Sequence, residues 1–234
     1  MMSHVRGDRI EPELREVDLG QSHVLNLRCS DIFQDSQCGL RLWESGIVLA
    51  RYLLSLDLPS NLSILELGSG CGVAGLAASA YLAPSRIVLT DGNDRTVKNL
   101  KHNVADLPAS PCGAKPTVQR LLWGVDPCPG QQRFDLVIGS DLFYSLEGAR
   151  RLAVALDECL TGTGTGILVA PMDRLDENMA RDDFKRAMMA KRFLIEEETV
   201  TFPSGVEVSG RSVWPCEGGG EFIVFKCRRE EGAI

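Results

Sequence analysis

The 234-residue sequence has few histidines, few aromatic residues and no long apolar run. Its three histidines (His4, His23 and His102) show no metal-ligand spacing, so we expect no zinc or other metal site. No apolar stretch reaches the ~20 residues that a membrane-spanning helix needs. The polar segment 1–8 also lacks the apolar centre of a signal peptide. These absences argue against a membrane-bound or secreted protein.

Cysteine usage and net charge indicate the compartment of the protein and the kind of partner it binds. The eight cysteines form no Cys-x-x-Cys pair, and several lie in apolar segments, which predicts reduced thiols in a cytoplasmic or also nuclear protein. The formal net charge of −7 disfavours nucleic-acid binding and is compatible with a basic protein partner. A chain of this length can bury the core of one domain, and we expect a monomer.

The most informative stretch is residues 64–72, with the sequence ILELGSGCG. It predicts a buried strand that breaks into a glycine-rich turn, followed by a helix over residues 73–82. Glycines at the end of a strand let the backbone approach a ligand closely, and the first turn of a helix offers free N–H groups. We therefore expect a nucleotide-like cofactor here, against the alternative of a tight turn without a ligand.

Two cofactor motifs overlap in this turn. Gly70, Gly72 and Gly75 match the dinucleotide pattern G-x-G-x-x-G, which alone is a weak signal. Residues 66–72 match E-x-G-x-G-x-G, the first motif of S-adenosylmethionine-dependent methyltransferases. A carboxylate at Glu66 would repel a pyrophosphate, but it suits the ammonium at the methionine end of S-adenosylmethionine. Glu66 therefore favours the methyltransferase interpretation over a dinucleotide oxidoreductase.

Strand and helix patterns alternate along the chain, which is typical of an α/β protein with a doubly wound, mostly parallel sheet. No helical pattern separates the last two strands, so we expect them to form an antiparallel C-terminal hairpin that completes seven strands. The predicted strands are 62–67, 86–91, 118–122, 134–139, 167–170, 193–201 and 221–227, and the predicted helices are 39–55, 73–82, 94–105, 147–160 and 174–191.

The remaining segments are interpreted as connections and an extension. Residues 161–166 are predicted to form a turn, and residues 1–15 are expected to be loose. The segment 1–38 is interpreted as an N-terminal extension with a hairpin, and 39–234 as one Rossmann-like domain. The loop 202–220 contains Trp214, which either anchors a substrate or packs on the sheet.

Two strand ends carry polar residues that suit a ligand site. Asp91 ends the second strand, where an acid binds the ribose hydroxyls of either cofactor, although the residues after it also favour a simple turn. The fourth strand ends in Ser140 and Asp141, with Tyr144 three residues later. Asp141 can hold a lysine ammonium and Tyr144 can line the channel. The alternatives are a turn cap for Asp141 and a core position for Tyr144.

Five motifs together carry a specific resemblance. They resemble methyltransferase-like family 16, which comprises seven-strand protein methyltransferases that mostly modify lysine. Thr90–Asn93 and Ala170–Pro171 look most like calmodulin-lysine methyltransferases, whereas residues 39–44 look closer to enzymes that act on elongation factors. The resemblance covers roughly residues 24–227, and its motifs in order are GLRLWESG (39–46), ELGSG (66–70), TDGN (90–93), LWG (122–124) and SDLFY (140–144).

The resemblance implies S-adenosyl-L-methionine as the cofactor and assigns the site residues. Trp123 would flank the adenine, and Asp91 would bind the ribose, while Asp141 and Tyr144 would be catalytic and face the substrate. Trp43 and Trp123 have the alternative of ordinary core positions. The full set of implied cofactor-binding residues is Trp43, Glu66, Gly68, Ser69, Gly70, Asp91, Gly92, Asn93, Trp123 and Ser140.

The implied function is S-adenosylmethionine-dependent methylation of a lysine on a cytosolic protein. Calmodulin and translation elongation factors are the candidate substrates. The methyl group would pass in line from sulfonium to amine, without a metal or a covalent intermediate. A small-molecule N-methyltransferase and a non-catalytic cofactor-binding interaction module remain alternatives.

Overall fold

The computed structural model describes residues 12–30, 35–107, 114–174, 177–202, 207–208, 211–212 and 220–232. Within these ranges, no helix is long and apolar enough to cross a membrane. Over the same residues, no group of acidic, histidine and cysteine side chains is arranged to hold a metal ion. The cysteines that lie in these ranges are free thiols.

A seven-stranded sheet forms the centre of the protein. The first five strands in spatial order are parallel to one another, and the sixth runs antiparallel to both of its neighbours. The predicted doubly wound sheet with an antiparallel C-terminal pair is confirmed. In spatial order the strands are β5 (Thr117–Arg120), β4 (Arg86–Asp91), β3 (Ser63–Leu67), β6 (Phe134–Ser140), β7 (Leu160–Pro171), β11 (Gly220–Arg229) and β8 (Phe193–Phe202).

Helices cover both faces of this sheet. On β3, Ile64 joins the core beneath the first three helices, whereas its neighbour Leu65 joins the core beneath the last two. Because both faces are covered, the strand is a continuous apolar run rather than an alternating one. One face carries α1 (Glu44–Ser55), α2 (Val73–Tyr81) and α3 (Asp94–Asp106), and the other carries α4 (Leu146–Cys159) and α5 (Asn178–Ala190).

Several element boundaries differ from the sequence predictions, and the helix predicted over 174–191 spans only Asn178–Ala190. The helix predicted over 39–55 begins only at Glu44, because residues 35–40 form a 3₁₀ turn and Trp43 has an extended backbone. The turn predicted over 161–166 belongs to β7, since Thr165 pairs with β6 on one side and with β11 on the other. Pairing on two edges outweighs the turn tendency of threonine and glycine. The strand predicted over 118–122 spans Thr117–Arg120, the residues that pair with β4.

A second, smaller sheet contains an N-terminal hairpin. Residues 13–15, expected to be loose, belong to its first strand, because they pair with residues of the second strand. The segment 202–220, expected to be a loop, supplies two short strands that extend this sheet, while Trp214 lies outside the described residues. The order is β10 (Arg211–Ser212), β9 (Glu207–Val208), β1 (Glu13–Gly20) and β2 (His23–Cys29).

Asn103 of α3 joins this hairpin to the glycine turn. Its side-chain oxygen accepts a hydrogen bond from the Arg28 N–H at 2.7 Å. Its amide nitrogen donates to the carbonyl oxygens of Arg28 at 3.1 Å and of Cys71 at 2.9 Å. Asn103 is buried, and its one side chain binds three backbone groups, of which the Arg28 carbonyl also accepts from Asn99 at 2.9 Å.

We expect Asn103→Ala to lower the free energy of unfolding by roughly 1–3 kcal/mol, because it removes the side-chain partner of the Arg28 N–H and of the Cys71 carbonyl. Urea unfolding followed by circular dichroism measures the change. The matched control is His102→Ala, an exposed position beside it on the same helix, which should stay within about 0.5 kcal/mol of the wild type. An equal loss in the two variants would contradict the role of Asn103.

Candidate functional site

A cavity of about 1300 Å³ opens at the carboxyl ends of the central parallel strands. Open α/β sheets bind ligands at this edge, where the strand order reverses. Two predicted site residues, Glu66 and Ser69, do not line the cavity. The others meet there: Trp43, Gly68, Gly70, Asp91, Gly92, Asn93, Trp123, Ser140, Asp141 and Tyr144.

The glycine turn after β3 presents bare backbone to the cavity. Gly68 and Gly70 have φ angles of 61° and 54°, a left-handed conformation that glycine adopts without strain. A Cβ atom at Gly68 would lie 2.6 Å from Leu142 Cδ2 and 3.1 Å from Trp123 Cζ2. Conformation and space therefore both require glycine at this position.

Ser69 fastens the turn to the neighbouring strand instead of facing the cavity. Its backbone N–H donates to the Thr90 carbonyl at 2.7 Å, and its hydroxyl accepts from the Thr90 N–H at 3.0 Å. The Thr90 hydroxyl in turn donates to the carbonyl of Glu66 at 2.6 Å. The Ser69 side chain is thus used within the sheet, and its contribution to a ligand site is the shape of the turn.

Glu66 lies behind the turn, only 2% exposed. Its carboxyl group packs against α2, where a Cβ atom at Gly75 would lie 2.5 Å from Glu66 Oε2. This oxygen has no hydrogen-bond partner among the described residues, and burial raises the pKa of Glu66 to about 8. The motif predicted a carboxylate beside a ligand ammonium, whereas the structure places a buried carboxyl beneath the helix.

Asp91 is held rigidly at the end of β4. Its Oδ2 accepts from the Gly70 N–H at 3.1 Å, and its Oδ1 accepts from the Asn93 N–H at 2.9 Å. Burial raises the pKa of Asp91, and these backbone donors oppose the shift. Asn93 caps α3. A carboxylate fixed in this way keeps acceptor sites for hydroxyl donors at the cavity wall.

Trp123 and Tyr144 place two aromatic rings on the cavity wall, with ring centroids 6.5 Å apart. Tyr144 is 67% exposed, which excludes the alternative of a core position. Trp123 packs partly against the core beneath α4 and α5 and still lines the cavity. Flat faces of this kind suit a planar base or the stem of a side chain.

Asp141 follows β6 in a strained and buried position. Its φ angle is 59°, which is unusual for a residue with a side chain, and its N–H donates to the Val169 carbonyl at 2.9 Å. Only 7% of its side chain is exposed. Burial raises the pKa of Asp141 to about 6, and the charge of Arg174 opposes this shift. Backbone strain at a cavity wall is a feature of functional positions.

Arg174 is a cavity residue that the sequence motifs did not predict. Its Nη1 lies 2.6 Å from Asp141 Oδ1 and 3.1 Å from Glu177 Oε1. Its guanidinium carbon lies 4.9 Å from the centroid of the Trp43 ring. The sequence did contain a positional signal, because Arg174 follows the carboxyl end of β7, the strand beside β6.

The segment before α1 contributes another part of the cavity wall. The Trp43 indole N–H donates to the Cys38 carbonyl at 3.0 Å, and the Cys71 thiol donates to the Leu40 carbonyl at 3.0 Å. Glu44, next to Trp43, is buried, and its burial raises its pKa to about 7. The Cys71 bond ties residues 38–44 to the glycine turn, and the Trp43 bond closes the segment on itself.

Comparison with known proteins identifies the family. A family model described as lysine methyltransferase matches residues 22–190, more than two thirds of the chain. The chain belongs to the lysine methyltransferase family. It is 27% identical to protein-lysine N-methyltransferase EFM3 of Chaetomium thermophilum, over 84% of this chain and 61% of that protein. It is also 27% identical to EEF1A lysine methyltransferase 3 of Xenopus tropicalis, over 69% of this chain and 80% of that protein.

The matches also define how far the likeness extends. The chain covers 61% and 62% of the length of the first two curated relatives it matches. Magnesium protoporphyrin IX methyltransferase of Synechocystis shares the fold with a TM-score of 0.56 and 15% identity, over 79% of this chain and 78% of that chain. Ribosomal protein L11 methylase of Lactobacillus delbrueckii shares the fold with a TM-score of 0.52 and 19% identity, over 80% of this chain and 79% of that chain.

S-adenosylmethionine is the methyl donor of lysine methyltransferases, and the cavity suits it. The turn at Gly68 and Gly70 offers bare backbone, which a Cβ atom at Gly68 would obstruct. Asp91 offers a fixed carboxylate for hydroxyl groups, and Trp123 offers an aromatic face for a base. These groups suit a nucleoside, whose ribose hydroxyls and planar base they can bind.

Glu66→Gln should flatten the pH dependence of stability. A carboxyl group with a pKa of about 8 when folded and 4.5 when unfolded binds a proton only in the folded state between these values. The wild-type free energy of unfolding should therefore fall as the pH rises from 5 to 8, and neutral glutamine should remove part of this loss. Urea unfolding at both pH values measures it.

The control for this measurement is Glu196→Gln, which removes a carboxylate from an exposed position. It should keep the wild-type dependence on pH. A Glu66→Gln variant with the wild-type slope would show that Glu66 is not protonated in the folded protein.

Proposed function

We propose that this protein is an S-adenosylmethionine-dependent methyltransferase that modifies a lysine of a protein. The observation that carries the proposal is one continuous cavity that runs from the glycine turn and Asp91 to Asp141 and Tyr144. The first pair of features suits a nucleoside, and the second suits an ammonium group and its alkyl stem. Family membership and relatives named protein-lysine N-methyltransferases support the same activity.

The cofactor half of the cavity positions the methyl group. Bound S-adenosylmethionine supplies an electrophilic methyl on its sulfonium. In the proposed complex, Asp91 binds the ribose hydroxyls, Trp123 flanks the adenine and Ser140 contacts the cofactor. Gly92 and Asn93 line the wall beside Asp91, and Trp43 lines it from the segment before α1. The rigid hydrogen bonds around Asp91 reduce the entropy that binding has to overcome.

The substrate half prepares the amine. A lysine must lose a proton before it attacks, and a carboxylate with a raised pKa is a suitable acceptor for it. Asp141 therefore orients the target nitrogen and receives its proton in the proposed reaction. Tyr144 guides the alkyl stem at the rim.

The rim of the cavity favours a protein substrate over a small molecule. Tyr144 is 67% exposed, and Leu146 beside it is 40% exposed, so an apolar surface is available next to the opening. The net charge of −7 suits a basic partner. Because one relative is named for EEF1A, an elongation factor is the first substrate class to test and calmodulin the second. We also propose that the protein acts in the cytoplasm as a monomer.

We expect Asp141→Ala to reduce methyl transfer by at least about 100-fold, because it removes the group that orients and deprotonates the amine. The measurement uses tritiated S-adenosylmethionine with a cell lysate, followed by acid hydrolysis and chromatography of methyllysine. The control Asp182→Ala removes a carboxylate on α5 that lies outside the cavity and should label as the wild type does.

Two results would refute different parts of the proposal. Full labelling by Asp141→Ala would refute the role of this residue. A wild-type protein that produces no methyllysine in lysates would refute the proposed function.

We expect Asp91→Asn to weaken cofactor affinity by about 10- to 100-fold, the range for losing charge-assisted hydrogen bonds. Isothermal titration of S-adenosylmethionine into each variant measures the affinity. The control is Asp94→Asn, an exposed position in the same turn that pairs with Arg120. Unchanged affinity in Asp91→Asn would remove this residue from the ribose site.

A further inference from the structure

Arg174 already makes both contacts that a substrate cation would need in this cavity. Its Nη1 lies 2.6 Å from Asp141 Oδ1, and its guanidinium lies 4.9 Å from the centroid of the Trp43 ring. A carboxylate and an aromatic face are the two groups that bind an alkylammonium most effectively in proteins. The side chain of Arg174 therefore stands where a target lysine would be bound.

Asp141 is covered in this arrangement. Its side chain is 7% exposed, and its second oxygen, Oδ2, is buried without a hydrogen-bond partner among the described residues. A buried acceptor without a partner is unfavourable, and a donor that reaches it would be stabilising. Arg174 is more accessible than the acid beneath it, with 26% of its side chain exposed. An amine that binds Asp141 Oδ1 therefore has to displace Arg174.

A second carboxylate is in place to receive Arg174. The same Nη1 lies 3.1 Å from Glu177 Oε1, so the guanidinium can give up Asp141 and keep an ionic partner. The backbone of this segment is held separately, because Arg181 donates to the carbonyl oxygens of Pro171 and Arg174. A side-chain rotation is thus sufficient, and the strand end need not shift.

The surrounding charges favour the exchange of one cation for another. Glu44, Asp141 and Glu177 surround the guanidinium of Arg174, with Arg41 and Arg181 at the edges of the cluster. If Arg174 leaves Asp141 with no replacement, a buried carboxylate loses its partner, which is strongly unfavourable. Entry of an ammonium group removes this penalty, so departure of Arg174 and arrival of the amine are coupled.

We propose that Arg174 is a gate for the methyl-acceptor site: it binds Asp141 while no substrate is present, and a target lysine displaces it onto Glu177. The inference rests on the proposed function for the identity of the lysine, and on the contacts of Arg174 for the exchange itself. It makes Arg174 a specificity-determining residue, because only a cation able to replace a guanidinium at Asp141 gains entry.

The test measures binding of n-butylammonium, which has the chemistry of a lysine side chain, in the presence of saturating S-adenosylhomocysteine at pH 8. Ligand-observed saturation-transfer NMR gives the affinity. Arg174→Gln should bind the amine about tenfold more tightly than the wild type, which corresponds to about 1.4 kcal/mol of competition removed. The double variant Arg174→Gln with Asp141→Asn should lose this gain.

Arg150→Gln is the matched control, because it removes the same charge from a side chain that pairs with Asp183 outside the cavity. It should bind the amine as the wild type does. A second measurement is an NMR titration of the wild-type protein, in which the ¹⁵N signal of the Arg174 guanidinium should shift as n-butylammonium is added.

Amine affinity in Arg174→Gln that is equal to or below the wild-type value would overturn the gate, and so would an unmoved Arg174 signal at saturating amine. Neither measurement involves methyl transfer. A wild type that labels no lysate protein would therefore refute the proposed function, whereas unchanged amine binding in Arg174→Gln would refute the gate alone.

Discussion

Parallel pairing of β3 with β4 on one side and β6 on the other is the constraint on which the site depends. It brings the carboxyl ends of three strands to one edge of the sheet. The residues that follow those strands, Gly68, Asp91 and Asp141, therefore line one cavity although they are far apart in the chain. The hydrogen bonds between Ser69 and Thr90 then lock two of these ends together.

Burial of carboxyl groups around this edge gives the site its electrostatic character. Burial raises the pKa of Glu66, Glu44 and Asp141 to about 8, 7 and 6. Two of these groups differ in their surroundings: Glu66 packs behind the turn, whereas Asp141 is bound to Arg174. Perturbed acids in a cleft are typical of functional sites, and here only Asp141 both lines the cavity and carries backbone strain.

The site is completed by a segment that does not belong to the sheet. Residues 38–44 are tied to the glycine turn by the Cys71 thiol, which donates to Leu40, while the Trp43 indole closes the segment on itself through Cys38. Asn103 holds the neighbouring hairpin to the same turn. The cavity wall is therefore shared between the sheet edge and the chain that precedes α1, and the stability of the N-terminal part bears directly on the geometry of the site.

Local patterns determined much of this protein. The apolar run before Gly68, the alternation of strands and helices, and the missing helix between the last two strands were sufficient to predict the sheet, and the resemblance carried by five motifs indicated the family. They were insufficient where distant pairing decides the outcome: Thr165 is in a strand because two neighbours pair with it. Likewise, only the tertiary structure placed Glu66 behind the turn and Arg174 on Asp141, 33 residues away. The physical reason is that periodicity records which side of an element is buried, whereas the partner of a buried charge depends on which strand ends meet.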